Sequence, residues 1–163
     1  MRLFGNLHFA TGKILSPMLN QTRTEEDYLE NIDALVSMES DAGYRLIADN
    51  RTTYCSESCV RCVATSCGIE EDLGKRGVRG ILKSVGSLVA FLTDPSHRIQ
   101  FLSTPRHCSW LNQIEIWFGT LRSKVTRWMN FTSLESLQKA IEALIETMAN
   151  PYAWTCTGRV LAA

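Results

Sequence analysis

Residues 104–121, TPRHCSWLNQIEIWFGTL, place one carboxylate inside what reads as a core-facing helix. At 3.6 residues per turn each residue advances about 100° around the axis, so Leu111, Ile114, Phe118, Leu121 and Val125 fall within an arc of about 80°. These five are expected to form a buried stripe in a helix running from Trp110. Trp110, Trp117 and Trp128 widen the stripe on one side, and Glu115 lies about 40° beyond Leu111 on the other. That is a half-buried boundary. A glutamate there either packs its stem and hydrates its head, or is a ligand or catalytic acid held on a rigid helix.

The chain on either side supplies the context for that choice. Upstream, RLFGNLHF alternates imperfectly, and ATG at 10–12 gives a turn before the β-prone KILSPML, so residues 2–19 read as a hairpin. Thr24 with Asp27 three residues on marks a helix start, and Tyr28, Leu29, Ile32, Leu35 and Val36 supply its apolar face to an end near Met38. YRLIADN reads as a buried central strand that delivers Asp49 at its carboxyl end, where ligands bind in open α/β sheets. A helix is expected over 55–67, a glycine-rich basic loop over 68–87, a short helix in LVAFLTDP and a buried strand in RIQFL. Thr132 and Glu135 read as the capping box of a last helix, with Leu134, Leu137, Ile141, Leu144, Ile145 and Met148 on one face and Asn150-Pro151 as its stop.

With 163 residues, 45% hydrophobic and 21% charged, the chain has the makings of a single domain, 1–163, with one core. No apolar run reaches the roughly 18 residues of a membrane span, and a cytoplasmic, membrane-free setting is the expectation. The zero net charge hides an asymmetry: residues 20–72 hold twelve acids and four bases, residues 75–129 nine bases and two acids. A basic segment with interleaved aromatics suits a phosphate backbone. Cys55, Cys59, Cys62 and Cys67 include one C-x-x-C without a second such pair at zinc-ribbon spacing, so buried thiols packing as small hydrophobes are preferred over a zinc or redox module.

The element order, two strands, helix, acid-tipped strand, helix, strand, acid-bearing helix and helix, resembles an α/β RNase H-like fold, a mixed sheet flanked by helices. The wording is closer still. TGKILSPMLNQTRTEEDY, ADN at 48–50, CGIEEDLG, DPSHRIQFLSTPRHCSWLNQIEIWF and FTSLESLQKAIEALIE with WTCTG beyond it are similar to the catalytic domain of DDE transposases of the Tc/mariner superfamily, in its bacterial insertion-sequence branch. The resemblance implies metal-dependent DNA cleavage and strand transfer with two Mg²⁺ or Mn²⁺ ions held by three carboxylates. Asp49 would be the second of these and Glu115 the third, with Asn50 and Asn112 supporting them. Arg106, His107, Arg122 and Lys124 become candidates for phosphate contacts. The implied partner is DNA, both element ends and target, in the bacterial cytoplasm at the nucleoid.

Two departures qualify that expectation. The family carries its first Asp on a strand ahead of the hairpin, whereas no acid occurs between Met1 and Lys13. An amino-terminally truncated domain is therefore expected, lacking its first strand and incompetent alone. It would be completed in trans by an upstream fragment, or persist as a non-catalytic remnant that binds DNA or full-length transposase. Tyr54 also stands where the family has a His, and a phenol cannot replace an imidazole.

Overall fold

The computed structural model describes residues 2–48, 54–105, 108, 111–127 and 129–148. Over these residues the chain is mixed α/β with short sheets and no closed barrel, consistent with the expected RNase H-like architecture. β1 (Arg2–Leu7) and β2 (Ile14–Asn20) form the expected antiparallel hairpin. Its register shifts between Phe4 and Asn6. Gly5 occupies the shift because a Cβ there would lie 2.9 Å from Ile14 Cγ2, so any side chain would push the strands apart.

Helix α1 (Glu25–Val36) starts as its sequence dictates. Thr24 accepts from the Asp27 amide, and the Asp27 carboxylate accepts from the Thr24 amide at 2.8 Å. Hydrogen bonds from the Thr24 backbone and then the Thr22 hydroxyl hold the Asp27 carboxyl below the usual aspartate range. The helix ties the hairpin down through Asn31, which is 2% exposed. Asn31 accepts from Asn6 Nδ2 at 2.9 Å and donates to the Ser16 carbonyl at 2.7 Å. Both halves of its amide are thus satisfied inside the protein, as a buried amide requires.

β3 (Tyr44–Ala48) and β4 (Ile99–Ser103) pair in parallel, from Tyr44 opposite Ile99 to Ala48 opposite Ser103. Parallel neighbours need a crossover, which contains α2 (Glu57–Ser66), the basic loop and α3 (Val85–Leu92). In that loop Gly74 has φ +88°, and a Cβ there would run into the Arg79 carbonyl. The crossover covers β4 well: Ile99, Phe101, Val60, Val63 and Leu92 are wholly buried, and the Tyr54 ring stacks on Phe101 with centroids 5.1 Å apart. Tyr54 therefore serves as core where the family pattern has a His. Cys59 is buried with this group and its thiol is pushed up by desolvation, the small-hydrophobe role expected of it.

Other expectations need correction. β3 is not a buried central strand: among the described residues it has a neighbour on one side only, and Ile47 is 57% exposed. Among the described residues the strands form two short sheets, the antiparallel pair β1-β2 and the parallel pair β3-β4. The helix expected from Trp110 begins at Ile114, as α4 (Ile114–Leu121). Ahead of it the Leu111 amide bonds the Cys108 carbonyl, and Glu115 and Ile116 bond the carbonyls of Asn112 and Gln113. These i to i−3 bonds wind the entry more tightly than an α-helix and turn Leu111 outward. A π-turn at Arg122–Thr126 continues α4, closed by the Arg127 amide on the Arg122 carbonyl. Trp117, Leu121 and Val125 are the buried stripe, so Trp117, read as a flank, belongs to it and is its most buried member. The last helix, α5 (Leu134–Thr147), is capped by Ser133 with Ser136, one residue later than the Thr132 and Glu135 box. Its Ile141 and Leu144 pack with Trp117, Leu121, Val125 and Ile14 of the hairpin. Trp110, Trp128 and the Asn150-Pro151 stop lie outside the described residues.

Candidate active site

An open cleft of about 1630 Å³ runs between the two sheets. All of β1 and all of β3 line it, α1 contributes Tyr28, Asn31, Ile32 and Leu35 on one side, and α4 contributes Ile114, Glu115, Phe118 and Leu121. Glu115 thus faces the cleft from the first turn of α4. It is exposed instead of half-buried, because the late helix start rotates the buried stripe toward Trp117 and away from Leu111. Negative charge in that first turn is favoured by the helix dipole.

Ala48, the last residue of β3, lines the same cleft. Its carbonyl accepts from the Thr104 amide at 3.1 Å, so the carboxyl end of β3 is tied to the loop that leaves β4 and leads to α4. The two elements chosen from sequence, the strand that leads to Asp49 and the start of the Glu115 helix, therefore border the same cleft. Asp49, Asn50, Arg106 and His107 themselves lie outside the described residues.

Asn112 also lines the cleft. Its Oδ1 accepts from the Ile114 amide at 3.4 Å and its carbonyl from the Glu115 amide at 3.0 Å. It shapes the turn that presents Glu115. Arg122 and Lys124 are exposed on the π-turn beyond α4, and neither lines the cleft.

Glu25, in the first turn of α1, lines the cleft as well. Hydrogen bonds from Ser56 and then Ser58, with Arg76 nearby, hold its carboxyl below the usual range. Those serines belong to the start of α2, so Glu25 is a tie between α1 and α2 at the cleft rim. Its position on the cleft had no signal in local sequence, because only the packing of α1 beside β3 creates it.

Carboxylate oxygens on rigid elements suit a hard divalent cation. Among the described residues, no group of three His, Cys, Asp or Glu stands together to hold a metal ion. Glu115 therefore offers one donor to a set that the described residues do not complete. No described helix is long and apolar enough to cross a membrane.

The alternation of strands and helices, the parallel pair whose β3 ends at Ala48, and the carboxylate on a following helix are what a nuclease of the RNase H-like class presents. The chain belongs to the DDE superfamily endonucleases: that family's model matches residues 1–138, which contain both Asp49 and Glu115. Searches of curated proteins and of solved structures return no match. Family membership implies DNA as the substrate and divalent metal as the general cofactor.

Proposed function

We propose that this chain is the body of a transposase catalytic domain of the Tc/mariner type, in which Asp49 and Glu115 are two of the carboxylates that hold Mg²⁺ or Mn²⁺. The observation that supports this most is the shared cleft: Ala48, one residue before Asp49 in sequence, and Glu115 line the same opening. A bound divalent ion would supply charge neutralisation at the scissile phosphate. The chain's own part is positional. β3, anchored to the β4 exit through the Ala48 carbonyl and Thr104, fixes where Asp49 starts, and the Asn112 turn fixes Glu115. Asn50, Arg106 and His107 would contact phosphate or support the carboxylates from the same loops.

The first carboxylate of the set has no counterpart between Met1 and Lys13, so the reading holds that this chain does not cleave by itself. The test is Mg²⁺-dependent nicking of plasmid DNA bearing the ends that bound its coding sequence. The chain alone should give no nicked product, and addition of the upstream fragment of a full-length family transposase should restore nicking. Asp49→Ala or Glu115→Ala should abolish it, and nicking that survives both changes contradicts the assignment.

A second, non-catalytic reading has its own observation. Lys75, Arg76 and Arg79 are exposed on the loop closed by the Lys75 to Arg79 bridge and Lys83 on the short turn Ile81–Lys83 after it, although Arg79 is paired with Asp72 at 2.6 Å. Such a loop would bind DNA through phosphates, and its affinity should fall steeply with salt. Capture of DNA or full-length transposase without any cleavage, even with the upstream fragment, favours this second reading.

A further inference from the structure

We infer that the loop Lys75–Arg79 and the groove beside it form a self-complementary patch, through which two copies of this chain pair about a two-fold axis, each seating Val78 in the groove of the other. The loop is built as a rigid knob. The Lys75 amide donates to the Arg79 carbonyl, the Val78 amide to the Lys75 carbonyl and the Leu82 amide to the Leu73 carbonyl, each at 3.0 Å. Gly74 and Gly80 let the two limbs touch, since a Cβ on either would lie 2.8 Å from the Cα of the other. Asp72 clamps the base, accepting from the Gly74 amide at 2.9 Å and from Arg79 at 2.6 Å. At the tip Val78 is nonetheless 59% exposed, with Arg76 and Arg79 close on either side in sequence. A loop tied in this way is already ordered, so docking it costs little further conformational entropy.

The groove offers what such a knob lacks. It has a volume of about 770 Å³ and is lined by Ile69, Ile81, Ala90 and Phe91, with Glu71 and Asp94 in the same lining and no Lys or Arg. Asp94 Oδ1 accepts from the Ser96 hydroxyl at 2.6 Å and amide at 2.8 Å, and these bonds hold the carboxyl below the usual aspartate range. Apolar walls with acidic groups suit a valine set among basic residues, whereas they repel an anion such as a nucleic acid. Knob and groove adjoin in the chain, because Gly80 and Ile81 line the groove directly after Arg79. They do not meet within one copy, since no residue of Lys75–Arg79 lines the groove. A two-fold axis between them brings each onto its counterpart, the condition for an isologous contact. Neither a metal nor DNA is needed for this pairing. Its extent is that of a small, transient interface, for which a dissociation constant on the order of 10 μM is expected.

Sedimentation velocity of the whole 163-residue chain, from about 1 to about 200 μM, should show a monomer–dimer equilibrium. Val78→Asp, at an exposed position, should weaken it about tenfold or more. Two charge variants then test whether the contact is made between copies. Lys75→Glu with Arg76→Glu turns the knob acidic, and Glu71→Lys with Asp94→Asn turns the groove basic while keeping the turn at Ser96. Either variant alone sets like charges together at both contacts and should be monomeric. Mixed in equal amounts they should form a heterodimer, because one contact is then wild type and the other is reversed in sign on both sides. Charges that act only within their own chain cannot produce that rescue. A wild-type chain that stays monomeric throughout overturns the inference, as does a dimer that Val78→Asp leaves intact or a mixture that does not associate. A chain that sediments faster only when duplex DNA is added also overturns it, and leaves the loop to phosphate binding.

Discussion

Two apolar clusters make up the described part of the molecule, and they are finished to different degrees. The cluster around α2, α3 and β4 is sealed: Tyr54, Val60, Val63, Leu92, Ile99 and Phe101 have no exposed surface. The cluster joining the hairpin to α4 and α5 is shallower, with Ile14 at 9% and Leu121 and Leu144 at 8% exposure. The first is closed because a crossover folds helices back over a parallel pair. The second has its rim on the open cleft, where β1 and β3 lack a shared neighbour. Glu115 sits on that unfinished side, whereas β3, which leads to Asp49, packs on the first cluster, so the candidate site draws on both.

Like-for-like truncations should expose the difference most strongly. Phe101→Ala removes a wholly buried ring stacked on Tyr54 and should cost about 4 kcal/mol, and Leu92→Ala about 3 to 4 kcal/mol. Leu121→Ala, at the cleft rim, should cost only about 2 kcal/mol, because solvent can enter the space left behind. Urea unfolding of the three variants measures this directly. Equal losses for Leu92→Ala and Leu121→Ala would erase the distinction between a sealed and an open core.

Asn31 is the next point of leverage, since it binds the hairpin to α1. Asn31→Leu should destabilise the chain by about 2 kcal/mol by stranding the Ser16 carbonyl. The loss should appear as faster amide exchange in β1 and β2, leaving β4 unchanged. Uniform acceleration would show that the hairpin is not an independent attachment.

A smaller effect is expected at the α1 start, where Thr24→Ala should cost about 1 kcal/mol. The pH dependence follows from the lowered Asp27 pKa. The folded state holds that carboxyl deprotonated more readily than the unfolded chain does, so its contribution is present above the ordinary aspartate pKa. It is lost as pH falls through the lower folded value, below about pH 4. Asp27→Asn should therefore reduce stability at neutral pH and make the acid limb of the stability curve shallower. An unchanged acid limb would mean the capping box contributes no pH-linked stability.

The sequence was most readable where the signal is local. Thr24 and Asp27 sit three residues apart and make their own hydrogen bonds, the hairpin turn lies between its strands, and Cys59, Val60 and Val63 share one helical face. Pairing across the sheet was less readable. The apolar run Leu46, Ile47 and Ala48 is what a strand covered on both sides looks like, yet Ile47 is exposed, because coverage depends on a neighbour that local sequence does not specify. The entry to α4 was misread for a related reason. Periodicity assumes 3.6 residues per turn throughout, whereas the tight turns at Leu111–Gln113 and the wide turn at Arg122–Thr126 break that period on both sides of Glu115. The residue chosen as acid does face the cleft, but from an exposed position.

The most direct measurement is paramagnetic line broadening by Mn²⁺ in the amide spectrum of the isotopically labelled chain, repeated with Asp49→Asn and with Glu115→Gln. The account predicts broadening centred on Ala48 and on Ile114–Phe118 at low Mn²⁺, weakened by either substitution. Broadening centred instead on the acidic run Glu70–Asp72, unchanged in both variants, would contradict the claim that Asp49 and Glu115 share one metal-holding cleft.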